Sequence, residues 1–514
     1  MSLNHKLIKS VAVSRRREKE GKTEIMTTKE GPPPTRIAVV GAGLAGTMIA
    51  VLLGRLGTYE VKIYEKRDDP RVEAAADADN EAEFGRSANA AKRSINLALS
   101  RRGQEALAEI GLLDEVMKDA IRMPCRVIHQ LGAQRAGDNV VKQAYGTDDQ
   151  AIWSVSREGI NLKMLNQATN ESDNVSVLFN YSLMSLHAAS GTCTFRDDKT
   201  SKEVTEKFDL VIGADGAYSS VRENMLRQGR IDFSRKYIDH GYKELCIPPK
   251  IGADGKPAFA LDDHEGLHIW PRGAFMMIAL PNPDFSFTAT LFAPYRGEDG
   301  FDSVDPEDHT AVDAYFNKHF PDLVPLIPDL QAEFKNNPVG SLVTINVGQW
   351  RKEKVLLLGD AAHAVVPFYG QGMNAAFEDG HILYRTLKDL IESKHPADAS
   401  AADVLLAGAE SFANSRRPAG DALAELCVEH YHDMASNTAS TLYLFQKKVE
   451  EKLHYFLPSY FVPIYTLVAF TETPYHHITK LQRQYGDIAS RVVGGLATVG
   501  MGMLGLGLYR IYKR

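Results

Sequence analysis

The sequence predicts an α/β protein in which a parallel nucleotide-binding sheet is interrupted by an inserted mixed β-sheet and followed by helices. Three observations lead to this fold class. Residues 36–65 read as strand, helix and strand around a glycine-rich turn. The stretch 236–292 is rich in strand-forming residues, and the pattern after Phe377 is helical. A chain of 514 residues also has room for two or three domains.

The bulk composition excludes several classes of protein. A hydrophobic content of 44% with 24% charged residues is typical of a globular protein with a large core. The net charge of −7 gives no basic surface for nucleic acid. The four cysteines form no CxxC pair, which argues against a zinc site or a disulfide framework and suits a reducing compartment. We therefore expect no metal.

The glycine-rich turn, Gly41 to Gly46, follows the short apolar strand 37–40 and opens an apolar-periodic helix. In such a turn Gly41 permits the tight bend, Gly43 lets the backbone approach a pyrophosphate, and Gly46 lets helix and strand pack closely. Glu65 lies 19 positions after Gly46, where a carboxylate binds a ribose diol. The turn alone is weak evidence, but strand, helix and acid in register predict dinucleotide binding without separating NAD from FAD.

Two later segments narrow the dinucleotide to a flavin. Residues 209–222 (DLVIGADGAYSSVR) and 359–363 (GDAAH) match two motifs of flavin-dependent aromatic hydroxylases, in the same order. The resemblance to these motifs implies that Asp360 accepts a hydrogen bond from a ribityl hydroxyl. Alternatively, Asp360 is a structural aspartate that caps a helix. The backbone N–H groups of Met373 and Asn374, at the start of the next helix, would face the pyrimidine side of the isoalloxazine, where the dipole favours negative charge. For His363 a hydrogen-bonded structural role is the expectation.

Five more segments carry a closer resemblance: 93–100, 154–157, 240–245, 268–272 and 366–374. Together they resemble the kynurenine 3-monooxygenase family from Arg36 to the tail, apart from an acidic insertion. The resemblance implies an FAD-binding Rossmann-like fold of the GR2, aromatic hydroxylase type. It also implies hydroxylation of L-kynurenine to 3-hydroxy-L-kynurenine, with FAD, NADPH and O2, through a C4a-hydroperoxyflavin. Tryptophan degradation and de novo NAD biosynthesis are the implied pathways.

The same resemblance assigns site residues. Flavin contacts are implied at Ala45, Tyr64, Glu65, Lys66, Arg67, Ala98, Arg157, Leu183, Asp215, Asp360, Met373 and Asn374. Substrate contacts are implied at Arg126, Tyr145 and Tyr465, and at His430, where the family has an asparagine before a tyrosine. The planar fork of an arginine suits the carboxylate of an amino acid. Phe368 and Tyr369 lie in the loop expected to shield the flavin from water, although ordinary loop packing would also explain them.

The domain expectations follow from these assignments. We expect a disordered arm over 1–35, a flavin domain over 36–235 and 340–395 with an acidic insertion at 71–92, a β-sheet substrate domain over 236–339, a helical domain over 396–490 and an anchor over 491–514. The uncharged stretch Val492 to Tyr509 is followed by basic residues, which favours a membrane anchor over a buried helix despite its six glycines. The resemblance implies the mitochondrial outer membrane, with the catalytic part in the cytosol.

Two other functions stay open from the sequence. One is a related membrane-associated hydroxylase or epoxidase that acts on another aromatic or lipid substrate. The other is a membrane-tethered flavoprotein that serves as a scaffold. No second GxGxxG follows a strand, so we expect NADPH to visit transiently, with the segment 209–222 as its candidate platform.

Overall fold

The computed structural model describes residues 34–72, 96–132, 139–146, 149–170, 173–393, 399–435, 462–488 and 491. Nearly all of the predicted N-terminal arm, of the acidic insertion and of the predicted anchor lies outside the described residues; the last arm residue, Thr35, is the first residue of a strand. Among the described residues, no helix combines the length and the apolar character needed to cross a bilayer.

The elements alternate between strands and helices in the first part of the chain and become helical towards its end. The strands are β1 Thr35–Val40, β2 Tyr59–Glu65, β3 Asn96–Leu99, β4 Ile121–Met123, β5 Cys125–His129, β6 Val140–Ala144, β7 Ile152–Ser156, β8 Val175–Phe179, β9 Tyr181–His187, β10 Thr192–Asp197, β11 Glu203–Lys207, β12 Leu210–Gly213, β13 Phe233–Ile247, β14 Lys250–Ile251, β15 Pro257–Ala258, β16 Gly266–Pro271, β17 Met276–Pro281, β18 Phe287–Pro294, β19 Gly340–Val347, β20 Arg351–Lys352 and β21 Val355–Leu357. The helices are α1 Leu44–Arg55, α2 Arg101–Glu109, α3 Leu113–Met117, α4 Arg157–Asn170, α5 Ser220–Arg227, α6 His309–His319, α7 Leu330–Asn336, α8 Asp360–His363, α9 Gly372–Ser393, α10 Ala401–Ala435, α11 Ile464–Phe470 and α12 475–488.

A six-stranded sheet with the order β20-β21-β12-β1-β2-β8 forms the centre of the nucleotide-binding part. All of its neighbouring strands pair in parallel except β20 with β21. Its central strands are continuous apolar runs with almost no exposed surface, such as Ile37 to Val39 and Leu210 to Ile212. Strands of this kind are covered on both faces, which a parallel sheet between helices requires. The predicted strand, helix and strand over 36–65 is confirmed by β1, α1 and β2.

A second, seven-stranded sheet has the order β19-β13-β18-β17-β16-β5-β6. It is antiparallel except where β16 pairs with β5. Strands β5 and β6 lie before the range 236–339 that was expected for the substrate domain, and β19 lies after it. The seven-stranded sheet therefore also contains strands from the range expected for the flavin domain. This matters for function, because β5 carries Arg126 into the second sheet.

One local expectation is wrong. The sequence suggests a helix from Asn96 to Leu113, whereas residues 96–99 form strand β3 and the helix begins only at Arg101. Strand β3 pairs antiparallel with β7, and the Asn96 side chain donates to the carbonyl of Pro281 at 3.0 Å. Pairing with distant residues therefore overrides the local helical preference.

Candidate active site

The predicted nucleotide-binding residues follow four strands that end at the same edge of the parallel sheet. Val40 pairs with Tyr64 on one side and with Gly213 on the other, and Gly213 pairs with Leu357. The carboxyl ends of neighbouring parallel strands form the crevice in which such folds bind ligands. The predicted residues that meet at this edge are Gly41, Glu65, Asp215 and Asp360.

Each glycine of the turn meets a different steric requirement. Gly41 has a φ of +103°, and a methyl group there would lie 2.6 Å from the carbonyl oxygen of Ala214. A methyl group at Gly46 would overlap the carbonyl oxygen of Gly41, so α1 and the turn pack closely only with glycine. A methyl group at Gly43 would meet no protein atom within 4 Å. Gly43 therefore leaves open space at the helix N-terminus, which fits the approach of a pyrophosphate.

Glu65 ties the end of β2 to this turn. Its carboxylate accepts hydrogen bonds from the backbone N–H of Ala42 at 2.8 Å and of Arg67 at 3.0 Å. The remaining lone pairs of the half-buried carboxylate suit the hydroxyls of a ribose. The next two predicted residues, Lys66 and Arg67, are exposed.

The side chain of Tyr64 is not at this edge. It is buried, stacks on Phe195 with ring centroids 3.7 Å apart, and donates its hydroxyl to Glu206 at 2.7 Å. Burial, followed by the hydrogen bond to Glu206, raises the pKa of Tyr64 far above its usual value. Only the backbone of Tyr64 remains available to a ligand, and its carbonyl already accepts from the N–H of Gly41 at 2.8 Å.

Asp360 is accessible to solvent although the surrounding protein partly desolvates its carboxyl. Its side chain is exposed, yet desolvation by the surrounding protein raises the pKa of its carboxyl, against the opposing charges of His363 and Arg157. A group that is both surrounded by protein and accessible faces a recess in the surface. Arg157, the exposed first residue of α4, lies near enough to act on that carboxyl electrostatically. His363 has the expected structural role, because its Nε2 lies 2.6 Å from an oxygen of Asp379.

Asp215 has a structural function at the same edge. One carboxylate oxygen accepts from the backbone N–H groups of Ser220 at 2.6 Å and Val221 at 3.1 Å, and so satisfies donors at the start of α5. The other oxygen is buried and has no hydrogen-bond partner among the described residues. Desolvation raises the pKa of the Asp215 carboxyl. The helix cap therefore leaves one oxygen for a ligand hydroxyl.

The start of α9 is held in place by the side chain of Asn374. Its amide donates to the carbonyls of Ala98 at 2.8 Å and Gly370 at 2.9 Å, and its oxygen accepts from the N–H of Ser100 at 2.9 Å. The Asn374 side chain is thus occupied within the protein. In the first turn of a helix the backbone N–H groups, here those of Met373 and Asn374, have no intrahelical acceptor. They are donors for a ligand at the positive end of the helix dipole.

Two remaining predicted flavin residues lie next to this edge. A methyl group at Gly359 would come within 3.0 Å of the Ala45 side chain, so Ala45 borders the turn before Asp360. Leu183 is half-buried on β9, four residues after Phe179, which pairs with Glu65.

The predicted substrate residues converge from distant parts of the chain. The guanidinium carbon of Arg126 lies 4.5 Å from the ring centroid of Tyr465 and 5.4 Å from that of Tyr145. The two tyrosine rings stack with centroids 4.9 Å apart. Arg126 Nε and the Tyr145 hydroxyl are buried atoms without a well-formed hydrogen bond to any described residue. Such donors favour a ligand carboxylate, because an unsatisfied buried polar group is costly.

Electrostatics keeps this arginine charged. Desolvation acts to lower the pKa of Arg126, but the hydroxyls of Tyr145 and Tyr465 outweigh it, and the net shift is upward. Burial is the main cause that raises the pKa of Tyr145, so this tyrosine stays a neutral donor. The result is a permanent cation beside two phenol groups.

His430 and Tyr369 complete the cluster. The His430 ring, on α10, lies 4.1 Å from the ring of Tyr369 and 6.3 Å from that of Tyr465. The next residue, Tyr431, has its hydroxyl 2.6 Å from Nε2 of His240 in the second sheet. His430 is therefore the residue of this pair that joins the cluster.

Phe368, the second predicted loop residue, packs elsewhere. Its ring lies 4.5 Å from that of Tyr431 and 5.2 Å from that of Phe292. Its neighbour Tyr369 lies 5.9 Å from Tyr465 and belongs to the substrate cluster.

The two predicted sites adjoin each other. Ala98, a predicted flavin residue, packs into the same apolar cluster as Tyr145 and Tyr465. A methyl group at Gly370, just before α9, would lie 3.2 Å from the Ala98 side chain. The helix N-terminus expected at the flavin ring and the aromatic clamp are therefore neighbours in the fold, on either side of Ala98.

The sequence analysis missed Phe470, which packs against the aromatic cluster, and Arg102, which contacts the end of the helix that carries Tyr465. Phe470 lies edge-on to Tyr145 at 6.0 Å and to Tyr465 at 6.1 Å. Arg102 is buried in the first turn of α2. An arginine at the positive end of a helix is unfavourable by itself, and this was the available signal that Arg102 has distant partners.

Comparisons with known proteins show which family the chain resembles over most of its length. Residues 34–400 match the family described as FAD binding domain. The chain is 39% identical to the kynurenine 3-monooxygenase of Dictyostelium discoideum, over 89% of this chain and 93% of that one. It is 39% identical to the enzyme of the same name from Stenotrophomonas maltophilia, over 87% and 90% of the two chains. It is 38% identical to the kynurenine 3-monooxygenase of Sus scrofa, over 86% of this chain and 85% of that one.

Solved structures support the fold alone. The tetrameric form of 2-methyl-3-hydroxypyridine-5-carboxylic acid oxygenase matches with a TM-score of 0.57 at 20% identity, over 78% of this chain and 92% of that one. The p-nitrophenol 4-monooxygenase PnpA from Pseudomonas putida DLL-E4 matches with a TM-score of 0.57 at 15% identity, over 88% and 97%. Residues 34–400 are thus an FAD-binding domain, and this chain belongs to the kynurenine 3-monooxygenase family.

Proposed function

We propose that this protein hydroxylates L-kynurenine to 3-hydroxy-L-kynurenine with NADPH and O2, using bound FAD. The family membership supports the reaction. The single observation that carries the substrate assignment is the half-buried Arg126, whose guanidinium lies beside the stacked rings of Tyr145 and Tyr465 and whose buried Nε has no well-formed hydrogen bond to a described residue. A kynurenine molecule brings a carboxylate to such a group, whereas a lipid hydrocarbon has no use for it.

The clamp orients the substrate by its amino-acid head. Arg126 binds the carboxylate, and the hydroxyls of Tyr145 and Tyr465 supply neutral donors at its side. His430 supplies a further ring nitrogen next to Tyr369. With the head held at this end, the aromatic ring of the substrate extends towards Ala98 and the start of α9.

The FAD supplies the redox chemistry that activates oxygen when it is bound. The residues that would hold it are those of the strand edge. The turn at Gly43 would face the pyrophosphate, Glu65 would bind a ribose, and Asp360 would bind the ribityl chain. The N–H groups of Met373 and Asn374 would stabilise negative charge on the ring, because they lie at the positive end of α9.

The remaining task of the protein is to exclude water. The amino group of the substrate already activates its ring, so no strong catalytic base is needed. Tyr369, Tyr465 and Phe470 place aromatic surface around the recess. A dry recess limits the release of hydrogen peroxide in place of hydroxylated product.

The test of the function is turnover by the purified FAD-loaded chain. We expect kynurenine to stimulate NADPH oxidation and to yield a product with one added oxygen at ring position 3, identified by mass and by comparison with the authentic compound. A chain that binds FAD but whose NADPH oxidation kynurenine never accelerates would be a scaffold and not this enzyme. Hydroxylation of another aromatic or a lipid in preference to kynurenine would favour the alternative hydroxylase or epoxidase.

The test of the clamp is Arg126→Met. We expect its KM for kynurenine to rise well over about tenfold, since a charged hydrogen bond contributes about 1.5–3 kcal/mol. An analogue that keeps the aminophenyl ketone but lacks the amino-acid group serves as a matched probe. Its KM should be nearly equal in both proteins, because it has no carboxylate for Arg126 to bind. An unchanged KM for kynurenine in Arg126→Met would contradict the assignment.

We further propose that the tail 491–514 attaches the protein to a membrane, and that this is the mitochondrial outer membrane with the catalytic part facing the cytosol. The uncharged run from Val492 to Tyr509 and the basic residues after it support the attachment. The location rests on the family resemblance. In fractionated cells, the full chain should be recovered with mitochondrial membranes and a chain that ends at residue 490 should not. Equal recovery of both in the supernatant would reject the anchor.

A further inference from the structure

Arg102 is a charged residue in a position that is unfavourable by itself. It lies in the first turn of α2, where the helix dipole repels a cation, and only 1% of its surface is exposed. A buried charge is tolerated only when specific partners compensate its desolvation. The neighbouring Arg101 differs, because its side chain is 53% exposed and pairs with Glu105 one turn away on the same helix.

The partners of Arg102 lie on two other helices. Its guanidinium forms an ion pair with Glu378 of α9 and donates to the carbonyl of Thr473, just after α11. Its Nε also lies 3.5 Å from the carbonyl oxygen of Val468, in the last turn of α11. The last carbonyls of a helix lack intrahelical partners and carry the negative end of its dipole, so a cation is favourable there. The guanidinium carbon stacks 4.1 Å above the ring of Tyr475.

Helix α11 is the short element that carries Tyr465. It has seven residues, too few to be stable without tertiary contacts. An irregular segment, 471–474, follows it. The position of Tyr465 beside Arg126 therefore depends on what fixes the end of α11, and Arg102 contacts that end.

Helix α9 is the element whose N-terminus we assign to the flavin ring. Glu378 lies one turn after Asn374, so both side chains are on the same side of α9. Asn374 binds the backbone of Ala98 and Ser100, and Glu378 binds Arg102. Asn374 and Glu378 thus connect α9 to residues 98–102, and Arg102 in that segment also contacts α11.

The same carboxylate of Glu378 fixes α10. Its second oxygen accepts from Arg416 at 2.6 Å, and Arg416 also donates to Asp379 at 2.7 Å. Arg416 lies on the helix that carries His430. Asp379 in turn accepts from the N–H of Gly359, the residue before Asp360. The group Arg102, Glu378, Asp379 and Arg416, here called the charge cluster, joins the helices of the substrate clamp to the flavin-binding turn.

We propose that Arg102 is a positioning residue: through its ion pair with Glu378 it holds α11, and hence Tyr465, in register with the flavin helix. The proposal rests on the proposed function, because its kinetic readout uses kynurenine. It predicts a specific effect on substrate affinity and on coupling, with FAD binding preserved. A residue that served only global stability would affect FAD and substrate alike.

The experiment compares Arg102→Lys with the matched surface control Arg101→Lys, both in the full FAD-loaded chain. Lysine keeps the charge but cannot reach Glu378 and two carbonyls together. We expect the KM for kynurenine to rise about fivefold or more in Arg102→Lys, as for the loss of about one hydrogen bond. We expect the Kd for FAD to change less than about twofold and the share of NADPH oxidation that ends as hydrogen peroxide to rise. Arg101→Lys should equal the wild type in all three measurements.

A second measurement does not depend on kynurenine. Amide hydrogen exchange of peptides over 464–470 should be faster in Arg102→Lys than in Arg101→Lys, while peptides over 355–364 keep their protection. Glu378→Gln weakens the same ion pair from the other side, and we expect the same changes in the same direction.

Three results would overturn the proposal. The first is wild-type KM, coupling and exchange in a folded Arg102→Lys chain. The second is a loss of FAD affinity as large as the loss of substrate affinity. The third is failure of both Arg102→Lys and Glu378→Gln to fold with FAD, which would assign the pair to global stability. If the wild-type chain does not turn over kynurenine, the proposed function fails, and the exchange measurement still decides the role of Arg102.

Discussion

Among single residues, His430 differs in chemistry from what the family resemblance implies at the fourth substrate contact. An imidazole replaces an amide there, and both groups can donate and accept hydrogen bonds. The His430 ring stacks on Tyr369 within the aromatic cluster, whereas Tyr431 is turned towards His240. The geometry thus supports His430 as the matching position, and its contact with substrate stays a prediction.

His430→Asn tests that contact. We expect the KM for kynurenine to stay within about threefold, because the amide restores a polar partner of similar reach. His430→Ala should raise the KM by about fivefold, as for one lost hydrogen bond. Steady-state kinetics of both variants are compared with Glu429→Ala, which changes the exposed neighbouring residue. A KM unaffected in His430→Ala would remove this residue from the substrate site.

At the scale of elements, two glycines of the turn between β1 and α1 have different roles. Gly46 is needed for folding, and Gly43 is expected to be needed for ligand binding. Gly46 is required by the protein, since any side chain there collides with the backbone of Gly41. Gly43 has open space in front of it, so the protein itself does not require a glycine at that position. The expected pyrophosphate is the partner that requires a glycine at position 43.

Gly43→Ala and Gly46→Ala should therefore fail in different ways. We expect Gly43→Ala to keep the apoprotein stability within about 1 kcal/mol and to lower FAD affinity about tenfold or more, because the new methyl group enters the ligand space. Gly46→Ala should lower the apoprotein Tm as well. Thermal unfolding without FAD and titration of flavin fluorescence measure the two effects. Unchanged FAD affinity in Gly43→Ala would place the pyrophosphate elsewhere.

The small sheet β9–β11 is joined to the parallel sheet through Glu206. This carboxylate accepts from the hydroxyl of Tyr64 at 2.7 Å and from Lys62 at 3.0 Å, and it pairs with Arg36. Partial desolvation acts to raise the pKa of Glu206, but these three partners outweigh it and lower the pKa to about 2. A folded-state pKa below the ordinary value means that the ionised form stabilises the fold.

Glu206→Gln should therefore change the acid dependence of stability. The contribution of Glu206 is complete above the ordinary pKa of 4.5 and disappears as the pH falls through about 2. We expect the variant to be less stable than wild type at pH 7, by about 1 kcal/mol or less because the site is partly exposed, and the difference to vanish near pH 2. Urea unfolding across this range measures it, with the exposed Glu203→Gln as control. A difference that is constant with pH would contradict the assignment.

At the scale of the whole molecule, the recess is built from parts that are far apart in the chain. Arg126 comes from β5 of the second sheet, His430 from α10 and Tyr465 from α11. The strand edge to which we assign the FAD belongs to the parallel sheet. Substrate binding should therefore be lost by changes at the C-terminal helices that leave the nucleotide-binding sheet intact.

Two truncations test this division. A chain that ends at residue 490 keeps every predicted substrate contact, and we expect its KM for kynurenine to stay within about threefold of the full chain. A chain that ends at residue 461 lacks Tyr465 and leaves Arg102 without its carbonyl acceptors, and we expect kynurenine turnover to be lost. Flavin content and kynurenine turnover are measured for both. Full turnover by the shorter chain would contradict the role of α11.

The local sequence pattern determined the strand, the glycine turn, the helix and the flavin motifs. These features depend on the backbone conformation and on the periodicity of neighbouring residues, which the pattern records directly. The family resemblance, and not the spacing of residues, predicted Arg126, Tyr145 and Tyr465 as substrate contacts.

Only the tertiary structure decided which side chains meet. It made 96–99 a strand through pairing with β7, turned Tyr64 away from the nucleotide edge, used Asp215 as a helix cap, and placed Arg102 against α11. Each outcome depends on partners far away in the chain. Long-range sheet pairing and buried charge compensation set those partners, and neither leaves a periodic signal in the local sequence.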